Sequence, residues 1–471
     1  MKRRDRYDLV CLGSGPAGEK AALMAASAGK RVVIVERESA PGGAMVNTGT
    51  IASKALRETA LLCSAFRRRP IPGVGFGLDR GISLRRFMAR KTLVQLEEHD
   101  RIERSIDRQG IDVVRGVGRI AGPNCVEVLG ADGLTLAIDC ERVLIATGSR
   151  PSRPANVAFD HPSLVDADGV LALDRMPRSM VVVGGGVIGT EYACIFAEMG
   201  VEVTIVDPRD ALMPFLDREV RAALAAQMQL IGVRLLLSCA VERIEATDDH
   251  ATITLKDGRT LVVDVVLWAV GRVGNTDGIG LENVGIVPDK RGLIEVDSEY
   301  RTSAPWVWAA GDVIGFPALA STSMEQGRIA ACHMFGLPFR EKLAATVPMG
   351  IYTIPAIGSV GLTEDEARAK SIDVVVGRAR YRNNPRGRML GDDQGLCKLV
   401  FDSRDRKLIG ATVIGEDATE LIHLAQSAIV FGAGIDFFVE ACFNYPSLSE
   451  MFKYAAIDAA QTLAAAQRVA A

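Results

Sequence analysis

GSGPAG at residues 13–18 and GGGVIG at residues 184–189 are two copies of one pattern, Gly-x-Gly-x-x-Gly, and they decide the fold of this chain. Each copy follows a short apolar run and precedes a stretch typical of a helix, which is the context in which this pattern binds a dinucleotide. The glycines let the backbone approach a pyrophosphate, and the helix N-terminus offers unpaired N–H groups with a partial positive charge. The duplication therefore predicts two dinucleotide sites in one chain.

An acidic residue ends the second apolar run of each unit, Glu36 in the first unit and Asp207 in the second. A carboxylate at this place accepts hydrogen bonds from an adenosine ribose. Asp207 favours NAD(H), because a carboxylate repels a 2′-phosphate, and Arg209 offsets part of that repulsion. This pair is compatible with a second site that accepts both NAD(H) and NADP(H).

The composition is that of an ordinary globular protein, with 48% hydrophobic and 24% charged residues among 471. The 55 basic and 58 acidic residues give a net charge of −3, which offers no electrostatic handle for nucleic acid, so no nucleic-acid partner is expected. No run of 18 apolar residues is present, so we expect no membrane span.

The nine cysteines are scattered without a CxxC, CxxxxC or zinc spacing, and the five histidines are equally dispersed. Such usage is typical of small buried side chains in a reducing compartment. We therefore expect a cytoplasmic protein without a metal site.

The length predicts about three domains. We assign residues 1–150 to a first nucleotide-binding domain, residues 151–275 to a second one, residues 276–346 to a central domain and residues 347–471 to a separate α+β domain. The predicted fold class is α/β, with two Rossmann-type dinucleotide-binding domains before the α+β part. Within the first domain, residues 41–50 are predicted to form a loop and a helix is predicted from near Ser53.

Further segments complete a recognisable set: the loop at residues 42–54, the turn at 146–148, the stretch 186–191 and Ala-Gly-Asp at 310–312. With them, nearly the whole chain resembles the flavoprotein disulfide reductases, the class I pyridine nucleotide-disulfide oxidoreductases. The resemblance implies FAD on the first domain, completed by the central one, and a nicotinamide nucleotide on the second. It also implies that the last domain is a dimerisation domain and that the protein is a homodimer, or a higher assembly of such dimers.

The motifs and the resemblance together give a set of cofactor-binding residues. For FAD they are Gly13, Gly15, Gly18, Glu36, Gly43, Met45, Thr50, Lys54, Thr147, Gly148, Gly311 and Asp312, and for the nicotinamide nucleotide Gly184, Gly186, Val187, Gly189, Glu191, Asp207, Arg209 and Gly271. Asp312 is implied on the ribityl chain of the flavin.

The chain departs from these reductases at the residues that handle thiols. The family's two redox cysteines fall at positions that here hold Met45 and Thr50, and the C-terminal histidine falls at Tyr445, while the glutamate that follows it is kept as Glu450. Tyrosine is a poor proton shuttle at neutral pH, because its ordinary pKa is about 10. Thr50 and the Asn-Tyr-Pro stretch at 444–446 resemble instead the soluble (Si-specific) pyridine nucleotide transhydrogenase branch, whose members pass a hydride from one nicotinamide nucleotide to FAD and then to another.

By the same resemblance, Lys54 and Glu191 pair beside the hydride-accepting nitrogen of the flavin, and we take them as candidate catalytic residues with Tyr445 and Glu450. The alternative for the pair is an exposed lysine and a glutamate that only complements a helix dipole. Val187 either leaves the nicotinamide pocket open or is simple core packing, and Met45 is either a contact of the flavin or filler.

The predicted function is FAD-dependent hydride transfer between NADPH or NADH and NAD(P)⁺. One rival is an NAD(P)H dehydrogenase that reduces a quinone or another small acceptor that is not a disulfide. A second rival is a catalytically idle binding subunit. Reduction of the flavin by NADH, and the identity of the acceptor that reoxidises it, distinguish the three.

Overall fold

The computed structural model describes residues 6–68, 83–339 and 341–470. It is a mixed α/β fold, as predicted, and contains two largely parallel sheets followed by an antiparallel one. The three parts follow one another along the chain, except that one late strand returns to the first sheet.

The first sheet has seven strands and carries the first glycine pattern. Its strands are Arg6–Leu12, Val32–Glu36, Asp112–Arg115, Val117–Gly122, Cys125–Leu129, Thr135–Ile145 and Val307–Ala309. The helices around it are Pro16–Ser27, Gly43–Asn47, Thr50–Arg68, Leu84–Arg108 and Ala320–Phe335. The second half of the first strand, from Leu9 to Leu12, is apolar because both of its faces are buried: Leu9 and Cys11 pack on one side, Val10 and Leu12 on the other.

Strand Val307–Ala309 pairs in parallel with Thr135–Ile145. Residues beyond the second glycine pattern thereby rejoin the first sheet, next to the strand that ends in the turn at 146–148. This return places Asp312 near the first glycine loop.

The second sheet is parallel and has five strands, in the spatial order Arg234–Leu236, Glu202–Val206, Ser179–Val183, Val265–Trp268 and Leu164–Asp166. An antiparallel sheet accompanies it, formed by Val241–Ala246, Ala251–Leu255 and Thr260–Val263. The helices of this part are Val187–Glu198 and Arg218–Leu230, and single turns of 3-10 helix lie at Gly169–Ala172, Leu281–Val284 and Asp312–Ile314. A short ribbon of Ser149–Pro151 and Arg272–Gly274 connects the first and second parts.

The C-terminal part is a five-stranded antiparallel sheet with helices. In spatial order the strands are Met349–Ile351, Ala356–Gly361, Leu408–Gly415, Leu396–Asp402 and Val374–Arg380. The helical segments are Glu364–Ala369, Tyr381–Asn383 (3-10), Pro385–Leu390, Ala418–Val430, Ile435–Glu440 and Glu450–Ala470. This antiparallel arrangement is the α+β architecture expected of the last part.

A buried lysine ties the C-terminal sheet to the second nucleotide-binding part. The Lys398 side chain is only 3% exposed, and its Nζ lies 2.7 Å from Asp217, 2.7 Å from Glu219 and 2.9 Å from Glu364. Asp217 also caps helix Arg218–Leu230 by accepting from two backbone N–H groups.

The predicted loop at 41–50 was wrong in detail. It contains the short helix Gly43–Asn47, and the next helix begins at Thr50 rather than near Ser53. The glycines of this segment favoured a loop, but Gly42 adopts a left-handed conformation at the helix start, and Met45 and Val46 are buried, so packing stabilises the turn of helix. Among the described residues, no helix combines the length and apolar character needed to cross a bilayer.

Candidate active site

A cavity of about 990 Å³ lies at the carboxyl ends of the first sheet. Ligand sites of doubly wound sheets occupy this edge. The cavity is lined by many of the residues predicted from the sequence, namely Gly13, Gly15, Glu36, Gly43, Met45, Thr50, Lys54, Thr147, Gly148, Val187, Glu191, Gly311 and Asp312. Gly18, Gly184, Gly186, Gly189, Asp207, Arg209, Gly271, Tyr445 and Glu450 do not line it.

The three positions of the first loop require glycine for different physical reasons. A Cβ at Gly13 would stand 2.5 Å from the carbonyl oxygen of Ala146, and one at Gly18 would stand 2.0 Å from that of Gly13, so the fold itself excludes side chains there. A Cβ at Gly15 would meet nothing closer than the Cα of Gly43 at 3.8 Å. The middle glycine therefore keeps open a space that the cavity includes, which is the space a pyrophosphate needs.

The second loop repeats this arrangement. A Cβ at Gly184 would lie 2.6 Å from the Ala269 carbonyl oxygen, and one at Gly189 would lie 2.0 Å from that of Gly184, whereas Gly186 has nothing within 4 Å. The open space at Gly186 is not part of the first cavity, because Gly186 does not line it. Helix Val187–Glu198 begins at this second loop, and its residues Val187 and Glu191 reach the first cavity.

The two acids are placed alike but are paired differently. Glu36 accepts from the Ser14 N–H at 2.8 Å and Asp207 from the Gly185 N–H at 2.5 Å, and each contact spans 22 residues. Asp207 is also held by Arg209, whose Nε and Nη2 lie 2.8 and 2.6 Å from its two oxygens. Burial would raise the pKa of Asp207, but the hydrogen bonds from Arg209 and Gly185 outweigh it and lower that pKa.

The residues of the cavity fit FAD. The Thr147 hydroxyl is buried and has no hydrogen-bond partner among the described residues, and nothing stands within 4 Å of a Cβ at Gly148 beside it. Asp312 accepts from the Ser149 hydroxyl at 2.7 Å, and that hydroxyl accepts from Arg272 Nε at 2.8 Å, so the guanidinium orients the Ser149 proton toward the carboxylate.

An ion pair joins the two nucleotide-binding parts inside the cavity. Lys54 Nζ lies 2.7 Å from Glu191 Oε2, and the other oxygen of Glu191 accepts from the backbone N–H of Tyr352 at 2.8 Å. The lysine Nζ also stands 4.9 Å from the centre of the Tyr352 ring. Glu191 is 4% exposed, so both of its oxygens are occupied in a dry environment and its position is fixed.

Thiols do not line the cavity. All nine cysteines lie within the described residues, and each is free. None is among the residues that line the cavity. Met45 is 8% exposed and lies on the short helix Gly43–Asn47, and Thr50 begins the next helix, so the two predicted departures both face this space.

Tyr445 and Glu450 are not brought to the cavity by a single chain. Tyr445 is 69% exposed in the C-terminal part. Glu450 is buried there, 3.2 Å from the Tyr454 hydroxyl and 3.5 Å from the Asn384 amide. Tyr445 and Glu450 can therefore contact an active-site cavity only if it belongs to a second chain. Their positions in the sequence did not indicate this requirement.

Several polar residues of the cavity were absent from the predicted set: Asp168, Ser149, Arg272, Asn275 and Tyr352. Asn275 donates to the Thr147 carbonyl at 2.9 Å and so braces the turn that carries the unpartnered hydroxyl. Arg272, Asn275 and Tyr352 lie in the stretches 271–277 and 350–355, which also resemble the transhydrogenase branch, and that resemblance was the available signal for them.

Two dinucleotide-binding loops, an ion pair between them and a cavity that fits FAD define a flavoprotein oxidoreductase that uses a nicotinamide nucleotide. Residues 7–327 match the family model of the pyridine nucleotide-disulphide oxidoreductases, and residues 347–456 match the dimerisation domain of the same family. The chain belongs to this family, whose members use FAD and NAD(P)H, and its dimerisation domain supports a homodimer.

The relatives agree with the branch indicated by the sequence. The chain is 41% identical to a soluble pyridine nucleotide transhydrogenase of Mycobacterium tuberculosis, over 96% of this chain and 97% of the relative. It is 38% identical to the soluble pyridine nucleotide transhydrogenase of Pseudomonas putida, over 96% and 98% of the two chains.

Solved structures agree with the fold. LpdA from M. tuberculosis superposes with a TM-score of 0.88 at 30% identity, covering 96% of this chain and 99% of that one. The HOCl-induced flavoprotein disulfide reductase RclA from Escherichia coli gives a TM-score of 0.86 at 28% identity, with the same coverage.

Proposed function

We propose that this protein is a transhydrogenase that moves a hydride between NADPH or NADH and NAD(P)⁺. The observation that carries the proposal is the Lys54–Glu191 pair, which joins the two nucleotide-binding parts in a cavity that no cysteine lines. Bound FAD supplies the hydride-carrying chemistry. The transhydrogenase relatives support the same assignment.

Within this function, the residues have distinct proposed roles. The loop around Gly15, together with Glu36, Thr147 and Asp312, holds FAD, and the loop around Gly186 with Asp207 and Arg209 holds the nicotinamide nucleotide. Lys54 and Glu191 set the electrostatics where the two meet, since a fixed charge in a dry site needs no reorganisation during the reaction. Val187, at the start of the helix that links the second loop to the cavity, lines this cavity and is assigned to the nicotinamide pocket.

Stopped-flow absorption on the purified dimer tests the function. The flavin absorbance should fall on mixing with NADPH or NADH and return on mixing the reduced enzyme with thio-NAD⁺, at rates that account for steady-state turnover. Fast reoxidation by a quinone with slow reoxidation by thio-NAD⁺ would instead support a dehydrogenase. Failure of both nucleotides to bleach the flavin would support an idle binding subunit.

The purified protein is expected to be yellow and to release FAD on denaturation. Gly15→Ala should weaken FAD binding about tenfold, because its methyl group would enter the open space that the pyrophosphate needs. Gly122→Ala is the matched control, since a Cβ there meets nothing within 4 Å and Gly122 does not line the cavity. Ultrafiltration titrations of FAD measure both, and equal affinities in the two variants would remove Gly15 from the site.

Lipoamide and glutathione disulfide are not expected to be substrates, because Met45 and Thr50 replace the thiols that would attack them. The double variant Met45→Cys, Thr50→Cys should still turn over poorly, since the residue that a second subunit would supply is Tyr445 and not a histidine. NADH-dependent thiol release measures this activity. Rapid disulfide reduction by the unmodified protein would overturn the assignment.

A further inference from the structure

A second cleft, of about 570 Å³, lies at the amino ends of strands in the first sheet, whereas the active-site cavity lies at the carboxyl ends. Arg6, which begins strand Arg6–Leu12, lines it, and so does His333 in the last turn of helix Ala320–Phe335. Ala320, the first residue of that helix, lines the active-site cavity instead. A helix of 16 residues is about 24 Å long, so the cleft is a separate site.

Among the described residues, the ion pairs at the cleft join three guanidinium groups to two carboxylates. Arg6 and Arg142 share Glu141, at 3.0 and 3.2 Å, and Arg301 pairs with Glu299 at 2.9 Å. Within these ion pairs of the described residues, three arginines and two carboxylates leave a surplus of one positive charge. A monoanion would neutralise this surplus, whereas a dianion would exceed it.

Two buried donors of the cleft have no acceptor within the described part of the chain. Trp308 is 4% exposed and lines the cleft, and its indole Nε1–H has no hydrogen-bond partner among the described residues. The buried Nε–H of Arg301 is also without a partner in this part of the chain. Buried donors without acceptors are costly, so an acceptor bound here would recover free energy.

Aromatic surface lies beside these donors. The Arg301 guanidinium is 5.3 Å from the centre of the Trp308 ring, and Trp306 lines the same cleft from the turn before strand Val307–Ala309. Two of the three tryptophans of the chain therefore stand in the same cleft as the Nε–H of Arg301. Arginine forks match carboxylates, and tryptophan faces match planar rings.

We propose that this cleft is a binding site for a small aromatic monocarboxylate, held by Arg301 and Arg142 through its carboxylate and by Trp306 and Trp308 against its ring. The site does not depend on the proposed transhydrogenase function, because no residue of the active-site cavity contributes to it.

Isothermal titration of the FAD-loaded dimer with benzoate tests the site, with benzamide as the uncharged probe of the same shape. Benzoate should bind with a Kd of about 1 mM or below, and benzamide about tenfold more weakly. In the Trp268→Phe variant, whose remaining tryptophans both lie in the cleft, benzoate should shift the emission. No saturable binding of benzoate, or equal binding of benzamide, would overturn the proposal.

Variants then locate the binding. Arg301→Ala should weaken benzoate binding about tenfold, and Trp306→Ala, which removes ring contact and no charge, should weaken it as well. Arg301→Lys keeps the positive charge but removes the pair of parallel N–H donors of the guanidinium group, so its affinity for benzoate should be intermediate. Arg243→Ala, at an exposed arginine paired with Glu245, is the control and should bind as the unmodified protein does. Full FAD content reports that each variant is folded, and unchanged affinity in both Arg301→Ala and Trp306→Ala would place the ligand elsewhere.

Discussion

Lys54→Met is expected to slow the reduction of bound FAD by NADH by about two to three orders of magnitude. Its ammonium group lines the cavity and is fixed 2.7 Å from a buried carboxylate, so its charge is available without reorganisation. Glu191→Gln should slow the same step less, because the amide still accepts from the Tyr352 N–H and only releases the lysine. FAD should stay bound in both variants, since neither side chain belongs to the glycine loop.

Single-turnover absorption measures this effect, and the FAD content of each variant is its second readout. Lys20→Met is the matched control, because Lys20 also pairs at 2.7 Å with a buried glutamate, Glu19, but does not line the cavity. The role given to Lys54 is wrong if the Lys54→Met protein is reduced as fast as the Lys20→Met protein.

The preference between the two nicotinamide nucleotides should move in opposite directions in Asp207→Ala and Arg209→Ala. Removing the carboxylate frees a guanidinium for a 2′-phosphate and favours NADPH, whereas removing the guanidinium leaves an uncompensated carboxylate and favours NADH. One charge at about 4 Å is worth about 1 to 4 kcal/mol, which is about a tenfold to thousandfold change in the ratio of kcat/KM values.

Steady-state kinetics with both nucleotides measure these ratios. Arg259→Ala is the control. The Arg259 guanidinium donates two hydrogen bonds to Asp257, two residues earlier in the chain, just as Arg209 donates two to Asp207. Its ratio should equal that of the unmodified protein. If the Asp207 and Arg209 variants also keep that ratio, the adenosine ribose binds at another place.

The sequence was informative where a ligand contact depends on one short segment. The glycine loops and the acids after them lie within single strand, turn and helix units, so their spacing predicted that Glu36 and Asp207 belong to the same units as the loops, although the hydrogen bonds to the Ser14 and Gly185 N–H groups were not predicted. The contact between Ser149 and Asp312 spans 163 residues, and that between Tyr352 and Glu191 spans 161. Such contacts depend on packing between distant segments, which no local pattern expresses.

Tyr445 shows a different kind of gap. Comparison of motifs indicated that Tyr445 is a candidate catalytic residue. In the single chain, however, its side chain is exposed on the dimerisation domain. A sequence contains no statement of which chain in an oligomer supplies a residue. The family resemblance therefore indicated a role for position 445, but it did not indicate that Tyr445 would have to reach the cavity of another subunit.

The two bonds of Glu191 limit how this protein could be recombined with its relatives. One carboxylate receives a lysine from 137 residues upstream and a backbone N–H from 161 residues downstream. If the whole second nucleotide-binding unit were exchanged with that of a relative, its contacts with Lys54 and with Tyr352 would both have to be preserved. Asp207 and Arg209 make no contact with that junction, so we expect point substitutions that change nucleotide specificity to disturb the fold less than exchange of the whole unit.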